Sequence, residues 1–260
     1  MDEKPVIVSE PAPRVRLVTL NRPQVANAMN TAVGEALLAV WTDLANDPSV
    51  GAVVVTGKGK AFCAGADLKE RDGMSDEAWS AQHLIYEAMA RAQLSVPVPI
   101  VAAVNGAAMG GGCEIMLACD FAIASGAARF GTPEVRLGII PGLGGPALLA
   151  RAVGERRALE LLTTGRHVDA QEALQIGLVS RLTAPETLVE EAVQLASLIA
   201  ANAPLAVRAL KRVVRAGATM QLDQAMEMEL GEYNRLFTTA DRREGVAAFN
   251  DKRPARFTGA

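Results

Sequence analysis

The stretch VPVPIVAAVNGAAMGGGCEIMLACD, residues 96–120, decides the fold of this 260-residue chain. Its first half is rich in Val, Ile and Ala and leads into Asn105-Gly106, a pair typical of a turn. Three consecutive glycines then precede an apolar segment that ends at Cys119. The prolines, the glycines and a glutamate are unfavourable in a membrane-spanning helix. The pattern predicts instead a buried strand, a turn and a buried helix, which is a building unit of α/β proteins.

Two carboxylates stand in unusually apolar surroundings. Glu114 is the only formally charged side chain between Val96 and Cys119, and Glu134 lies in FGTPEVRLGIIPGLGG, residues 130–145. An unpaired buried carboxylate costs several kcal/mol, and no Lys or Arg is close to Glu114 in sequence. Two carboxylates held close together can move protons to and from one water. The alternative is that Glu134 caps a helix and buried backbone groups satisfy Glu114, and the residues alone leave both interpretations open.

The composition is that of an ordinary intracellular enzyme. Half of the residues are hydrophobic and 21% are charged, which excludes global disorder. The net charge of −3 gives no reason to expect nucleic acid or an anionic membrane as the main partner. The three cysteines form no CxxC pair, and the first residues, MDEKPVIVSEPAPR, lack the apolar run of a secretion signal. We therefore expect a cytoplasmic protein.

Strand and helix patterns alternate over the first 200 residues and only helix patterns follow. Strands are predicted at 14–20, 50–56, 99–104 and 120–124. Helices are predicted at 31–45, 75–94, 113–119, 145–153, 156–163, 170–175, 186–201, 204–215, 221–236 and 239–249. The strand at 50–56 is nearly all apolar, as expected for a strand covered on both faces. The sequence thus predicts an α/β core at 1–200 that holds the active site, and an all-helical segment at 201–260.

Nucleotide-binding and metal-binding motifs are not convincing in this chain. GKGK at 57–60 follows a strand pattern, but the GxxxxGK[ST] loop that cradles phosphates is absent. Gly142, Gly144 and Ala147 match GxGxxA, yet the match lies mid-chain, Pro146 interrupts it, and no acidic residue ends a second strand about twenty residues later. His83 and His167 are the only histidines and lie in no ligand-like cluster. We expect no metal site and no dinucleotide.

Glycine and alanine have a more specific use in two other segments. Gly110, Gly111 and Gly112 directly precede the apolar helix, where free N–H groups and the helix dipole favour negative charge. The residues 64–67, Ala-Gly-Ala-Asp, also present bare backbone after a strand. If the two segments meet, one N–H from each can bind an oxygen on which negative charge develops. The alternative is that these glycines only permit close chain packing.

Four motifs resemble the enoyl-CoA hydratase/isomerase, or crotonase, superfamily. They are LNRPQVANAMN (20–30), GKGKAFCAGADLKE (57–70), VNGAAMGGGCEIMLACD (104–120) and FGTPEVRLGIIPGLGG (130–145), and they occur in the order and spacing of that family. The resemblance extends from about residue 5 to Phe257. It implies a spiral of repeated ββα units with a C-terminal helical segment that forms trimers, often stacked as hexamers. It also implies an acyl-CoA ligand.

The same resemblance implies roles for individual residues. Ala64 and Gly111 match the two oxyanion-hole donors, while Glu114 and Glu134 match the first and second catalytic glutamates. Further positions match those that contact the substrate or coenzyme A: Ala26, Ala66, Asp67, Leu68 and Gly142. The C-terminal residues Phe249 and Lys252 are expected near the coenzyme A site of a neighbouring subunit.

Retention of both glutamates makes addition of water across the C2=C3 bond of a 2-enoyl-CoA the activity that the resemblance favours. Such an enzyme needs no cofactor, because coenzyme A is part of the substrate, and it serves fatty-acid or branched-chain acyl-CoA breakdown. Two alternatives stay open. One is different chemistry on the same fold, such as isomerisation. The other is a non-enzymatic RNA-binding role, known for some relatives.

Two short segments are the only part of the sequence that bears on which acyl chain the substrate carries. The segments AFCAGADLKERDGMS (61–75) and DRREGVAAFNDKRPARF (241–257) resemble the branch of the family that contains methylglutaconyl-CoA hydratases. A branched acyl chain that ends in a carboxylate would need a cation at the far end of its pocket. Lys69 and Arg71 are the nearest basic candidates, although facing coenzyme A or solvent is the favoured expectation for both.

Overall fold

The structure is a computed structural model that describes residues 4–260. Its strands are β1 (Val6–Ala12), β2 (Val15–Leu20), β3 (Ala52–Gly57), β4 (Ala61–Cys63), β5 (Ile100–Val104), β6 (Ala107–Met109), β7 (Phe121–Ser125), β8 (Arg129–Gly131), β9 (Val168–Asp169) and β10 (Arg181–Thr183). Its helices are α1 (Thr31–Asn46), α2 (Leu68–Arg71), α3 (Asp76–Ser95), α4 (Gly111–Ala118), α5 (Gly145–Val153), α6 (Glu155–Thr164), α7 (Ala170–Gln175), α8 (Leu188–Ala200), α9 (Pro204–Gly217), α10 (Leu222–Leu236) and α11 (Ala240–Asn250). Pro23–Val25 and Pro133–Leu137 form short 3₁₀ helices.

Six strands form the larger sheet, in the order β1-β2-β3-β5-β7-β10. All neighbours are parallel except β1 and β2. Val53 and Val55 of β3 belong to the hydrophobic cluster that includes α1 and α3, whereas Ala52 and Val54 pack in the cluster with α8. Because side chains alternate across a strand, β3 is apolar at nearly every position. The prediction that this strand is covered on both faces is confirmed.

A second sheet, in the order β4-β6-β8-β9, positions the site. Strands β4, β6 and β8 are parallel, and each follows a strand of the larger sheet. The chain thus repeats a strand, a second strand and a helical segment, as expected for ββα units. Parallel strands end at one edge, and in α/β proteins that edge is where ligands bind. The segments beginning at Ala64, Gly110 and Thr132 all leave from this edge.

The α/β class and most long elements agree with the sequence predictions, but several short elements were missed. The four predicted strands do not include β1, β4, β6, β8, β9 or β10, and the predicted helices do not include α2. Strands of two or three residues are too short to show periodicity, and long-range pairing stabilises them. Helix α4 begins at Gly111 rather than Cys113, because its first turn consists of the glycines that were assigned to the preceding loop.

From Pro204 onward the described chain contains only helices. Asp120 holds α9 against the α/β part, because its carboxylate contacts Lys211 Nζ at 2.7 Å and Arg215 Nε at 2.8 Å. Helix α10 has no buried residue in the single chain. Its large exposed apolar side chains are Leu222, Met226, Leu230 and Tyr233.

Over residues 4–260, no single helix is both long and apolar enough to cross a membrane. Helices α8 and α9 reach that length and hydropathy only when taken together, and they are bent by 105° relative to each other.

Candidate active site

A cavity of about 1020 Å³ opens at the edge where β4, β6 and β8 end. The loop after β4, the start of α4 and the segment 133–147 enclose it, together with residues of α2 and α3. The predicted site residues that line it are Ala64, Ala66, Leu68, Gly111, Glu114, Glu134 and Gly142. The two glutamates and the two backbone segments singled out from the sequence therefore share one cavity.

Glu114 is held by backbone N–H groups. It lies in the first turn of α4, is only 3% exposed, and its Oε1 accepts hydrogen bonds from the N–H groups of Leu143 at 2.7 Å and Gly145 at 2.8 Å. Burial raises the pKa of Glu114, and these N–H groups act against that rise by stabilising the charged form. The interpretation that buried backbone satisfies Glu114 is thus partly correct. It does not exclude a catalytic role, because the carboxylate also faces the cavity.

Glu134 has a different environment. It lies in the 3₁₀ helix Pro133–Leu137, is 9% exposed, and its Oε2 is buried without a hydrogen-bond partner among the described residues. No side chain caps that 3₁₀ helix, so the capping interpretation of Glu134 is wrong. Burial and the nearby charge of Glu114 raise the pKa of Glu134 to about 7. The pKa values of both carboxyls are raised, and the two differ in that backbone N–H groups stabilise the charged form of Glu114 whereas Glu134 Oε2 has no such partner among the described residues.

Two backbone segments meet beside this pair, as the sequence analysis required. Gly65 has a φ of 93°, and a Cβ placed on it would stand 3.5 Å from the N of Gly111 and 2.8 Å from the O of Met109. Only glycine permits this approach of the loop after β4 to the start of α4. Gly111 is the first residue of α4, so its N–H has no partner within the helix.

The prediction that Ala64 donates an oxyanion-hole N–H conflicts with the structure. The Ala64 N–H donates to the Ala26 carbonyl at 3.0 Å, and the Asp67 N–H donates to the Met29 carbonyl at 2.8 Å. Ala66 lies between them and lines the cavity, and its N–H has no partner within residues 4–260. Because the segment 26–29 binds the N–H groups of Ala64 and Asp67, the N–H available to the cavity is that of Ala66.

The two interpretations given for the glycines before α4, oxyanion binding and close chain packing, apply to different residues. A Cβ on Gly112 would collide with the carbonyl oxygen of Cys63, so Gly112 is a packing glycine that lets α4 approach β4. A Cβ on Gly111 would collide with the flexible end of Met29 and stand in ordinary contact with Leu143 Cδ1 at 3.7 Å, and Gly111 lines the cavity. Close packing and access to the cavity are thus both needed, at adjacent positions.

Contacts between distant segments support the loop after β4, and sequence reasoning missed them. Tyr86 of α3 donates from its hydroxyl to the Met29 carbonyl at 2.8 Å, and Met29 pairs with Ala66 in a single parallel β-bridge. Arg22 donates to the Ala28 carbonyl at 2.6 Å and forms an ion pair with Asp67 at 3.0 Å. The apolar spacing around Tyr86 predicts a buried face of α3 but not its partner.

Four predicted site residues do not line the cavity of the single chain. Ala26 has a left-handed φ of 52° and supports Ala64 through its carbonyl, while Asp67 caps α2. Phe249, near the end of α11, is 84% exposed, and Lys252 is also exposed just beyond that helix. Their predicted position near a neighbouring subunit stays a prediction. Within residues 4–260 no cluster of three His, Cys, Asp or Glu side chains is arranged to hold a metal ion.

Comparison with known proteins adds independent information. A family model described as "Enoyl-CoA hydratase/isomerase" matches residues 12–260. The chain is 45% identical over 246 residues to a probable enoyl-CoA hydratase of Rhizobium meliloti, with 94% of each chain covered. It is 39% identical over 248 residues to a short-chain-enoyl-CoA hydratase of Clostridium acetobutylicum, with 95% of each chain covered. A crystal structure of enoyl-CoA hydratase from Bacillus anthracis superposes with a TM-score of 0.96 at 39% identity, covering 98% of this chain and all of that one.

Proposed function

The chain belongs to the enoyl-CoA hydratase/isomerase family, and we propose that its cavity adds water across the C2=C3 bond of 2-enoyl-CoA thioesters. The protein is an enoyl-CoA hydratase with the crotonase fold. The observation that carries the proposed mechanism is the unequal pair of glutamates in one cavity. Glu114 is bound by two N–H groups, whereas Glu134 is buried and has a pKa of about 7.

The thioester carbonyl is proposed to lie between the N–H groups of Ala66 and Gly111. As water adds, negative charge moves onto this oxygen and forms an enolate. A positioned donor typically contributes about 3 to 4 kcal/mol to such a transition state. The dipole of α4, whose first residue is Gly111, favours the same charge.

The glutamates divide the proton transfers according to their environments. Glu114, the carboxylate, takes a proton from water as the water oxygen forms a bond to C3. Glu134, the protonated partner, delivers its proton to C2 as the C2=C3 π bond is lost. The product is a 3-hydroxyacyl-CoA. The proton left on Glu114 then returns to Glu134 through solvent, which restores the resting pair.

The remaining expectations from the family form part of the proposal. Ala66 and Leu68 line the cavity, and we propose that they and the nearby Ala26 and Asp67 flank the coenzyme A groove, with Gly142 near the acyl end. Coenzyme A enters as part of the substrate, and the chemistry uses no separate cofactor. We place the enzyme in the cytoplasm, in fatty-acid or branched-chain acyl-CoA breakdown.

A trimer, or a dimer of trimers, is the proposed assembly. The apolar side chains exposed on α10, among them Leu230 and Tyr233, would be buried between subunits, and Phe249 with Lys252 would approach a neighbour's coenzyme A. Light scattering at micromolar concentration tests this proposal. A stable, active monomer would contradict it.

The activity is tested directly with crotonyl-CoA. Hydration removes the double bond conjugated to the thioester, so ultraviolet absorbance falls and the product gains the mass of one water. Movement of the double bond without a gain in mass would identify an isomerase instead. Absence of any reaction with 2-enoyl-CoA thioesters of several chain lengths would overturn the proposal.

A further inference from the structure

Met29 contacts the segments that carry both proposed oxyanion donors. Its backbone brackets Ala66, because its N–H donates to the Gly65 carbonyl at 2.8 Å and its carbonyl accepts from the residue after Ala66, also at 2.8 Å. Its terminal methyl group fills the space that a Cβ on Gly111 would need. Met29 is only 1% exposed and lines the cavity. One residue therefore connects the two N–H groups that are proposed to bind the thioester oxygen.

The carbonyl of Met29 is anchored by a side chain from a distant helix. Tyr86 of α3 is 2% exposed, and its hydroxyl donates to this carbonyl at 2.8 Å. Burial raises the pKa of Tyr86, so the hydroxyl keeps the proton that it donates. The carbonyl thus accepts two hydrogen bonds, one from the Asp67 N–H and one from Tyr86. The second bond ties the single β-bridge between Met29 and Ala66 to a helix of 20 residues.

Helix α1 leaves room for the Tyr86 ring. A Cβ on Gly34 would stand 2.6 Å from Cε1 and 2.7 Å from Cδ1 of Tyr86. A phenylalanine ring would fill this space between α1 and α3 equally well, so packing alone does not account for the hydroxyl. A buried tyrosine hydroxyl needs a hydrogen-bond partner. Here that partner is the backbone beside Ala66, which makes the hydroxyl a support of the site rather than of the core alone.

A shift of either N–H donor would be felt mainly in the transition state. The thioester oxygen carries little charge in the bound substrate and a large negative charge in the enolate, and hydrogen bonds to a charged oxygen are the stronger ones. A residue that holds a donor in place is therefore expected to affect kcat more than KM.

We propose that Met29 and Tyr86 are positioning residues of the oxyanion site. The Tyr86 hydroxyl holds the Met29 carbonyl, and the Met29 backbone sets the direction of the Ala66 N–H. The Met29 side chain sets how closely the loop after β4 approaches Gly111. This inference rests on the proposed hydratase function and adds two residues that exchange no proton with the substrate.

Kinetics with crotonyl-CoA test the role of the hydroxyl. Tyr86→Phe removes one oxygen and keeps the ring, so the core stays filled. We expect kcat to fall about 5- to 10-fold with KM unchanged, which is the range expected for one lost hydrogen bond. Tyr233→Phe, at an exposed position of α10, is the matched control and should leave kcat unchanged.

An infrared measurement reports on the oxyanion site without any reaction. Butyryl-CoA, the saturated analogue of crotonyl-CoA, carries a heavy carbon isotope at its thioester carbonyl, so that the stretching frequency of this group can be read in the bound state. Two aligned N–H donors lower the frequency, and we expect wild-type enzyme to lower it relative to water. Tyr86→Phe should lose part of this shift, and Met29→Ala more. Met89→Ala, at a buried position of α3 outside the cavity, should keep the wild-type shift.

A folded Tyr86→Phe enzyme with wild-type kcat and carbonyl frequency would overturn the inference. A lower melting temperature or a raised KM without a change in frequency would also overturn it, because that result assigns the residues to packing or to substrate binding. If Met29→Ala does not fold, Met29→Leu takes its place, since leucine keeps the volume but not the reach of the terminal methyl.

The inference and the proposed function fail separately. If wild-type enzyme hydrates no 2-enoyl-CoA thioester, the hydratase is refuted, while the carbonyl frequency of bound butyryl-CoA still decides the roles of Met29 and Tyr86. If wild-type enzyme hydrates crotonyl-CoA but does not lower that frequency, the positioning roles are refuted and the hydratase stands.

Discussion

The cavity has two walls that differ in how they are built. The reactive wall consists of Ala66, Gly111, Glu114, Glu134 and the segment 142–145, and its groups are backbone N–H donors or carboxylates that are less than a tenth exposed. The outer wall consists of Leu68, Arg71, Trp79, His83 and the segment 137–141. In the outer wall Leu68 is 52% and Ile140 74% exposed.

This difference indicates a division of labour. In the reactive wall, strand ends and helix starts position the atoms, so a substitution there disturbs either the chemistry or the fold. In the outer wall, side chains on helices and loops supply the contacts, so they can change without moving the strands. We therefore expect the reaction type to depend on the first wall and the choice of acyl chain on the second.

The sharpest test of the reactive wall removes one carboxylate at a time. Glu114→Gln and Glu134→Gln should each lower kcat by at least about 10²-fold with little change in KM, because positioned acid–base groups act in the transition state. Glu35→Gln, at an exposed position of α1, is the matched control and should be neutral. Near-wild-type turnover in either cavity variant would remove that glutamate from the mechanism.

A second test separates access to the cavity from packing. Gly111→Val should reduce kcat/KM by about 10²-fold while free coenzyme A still binds, because the new side chain obstructs the thioester beside a flexible Met29. Gly112→Ala should instead lower thermal stability, by about 1 to 3 kcal/mol, since its Cβ would meet the Cys63 backbone.

Gly126→Ala is the control for both glycine variants, because a Cβ at Gly126 meets no atom within 4 Å. Activity and melting temperature should both stay at wild-type values. Normal hydration by a folded Gly111→Val enzyme would show that Gly111 is a packing glycine as well.

The smallest expected effect is on the free energy of unfolding, which the raised pKa of Glu134 makes dependent on pH. An exposed glutamate has a pKa of about 4.5, and that of Glu134 is about 7, so the folded state holds this proton more tightly than the unfolded state does. The resulting stabilisation is complete below pH 4.5 and is lost as the pH rises through 7. The free energy of unfolding of wild type should therefore fall as the pH rises from 5 to 8, whereas that of Glu134→Gln should not. The variant gains about 2 kcal/mol relative to wild type over this range.

Thermal unfolding of both proteins at the two pH values measures this gain. Ile140→Ala, in the outer wall, should shift stability equally at pH 5 and pH 8. A pH-independent difference between Glu134→Gln and wild type would mean that the carboxyl of Glu134 titrates like an exposed glutamate.

Much of the reactive wall could be predicted from local sequence. Glu114 and Glu134 stood out because carboxylates are rare among glycines and apolar residues, and the glycines before α4 indicated free N–H groups at a helix start. The strand–turn–helix unit at 96–120 was predicted because β5 and α4 are long enough to show a pattern. Each of these signals depends on neighbours within a few residues.

The outer wall and the supports of the site could not be predicted in this way. The choice between the Ala64 and Ala66 N–H groups depends on the Ala26 carbonyl, which lies 38 residues earlier in the chain. The position of Arg71 depends on Gln82 and Trp79 across a helix boundary. The three-residue strands β4 and β8 form only because β6 lies between them.

The sequence by itself thus determined the α/β class, the two carboxylates and the glycine-rich segments that meet near them, because periodicity, charge and backbone freedom are local properties. Only the tertiary structure decided which amide faces the cavity, how differently the two carboxylates are hydrogen-bonded and which side chains from distant segments line the outer wall. These depend on hydrogen-bond partners, burial and neighbouring charges that distant segments provide. Such contacts exist only once the chain has folded.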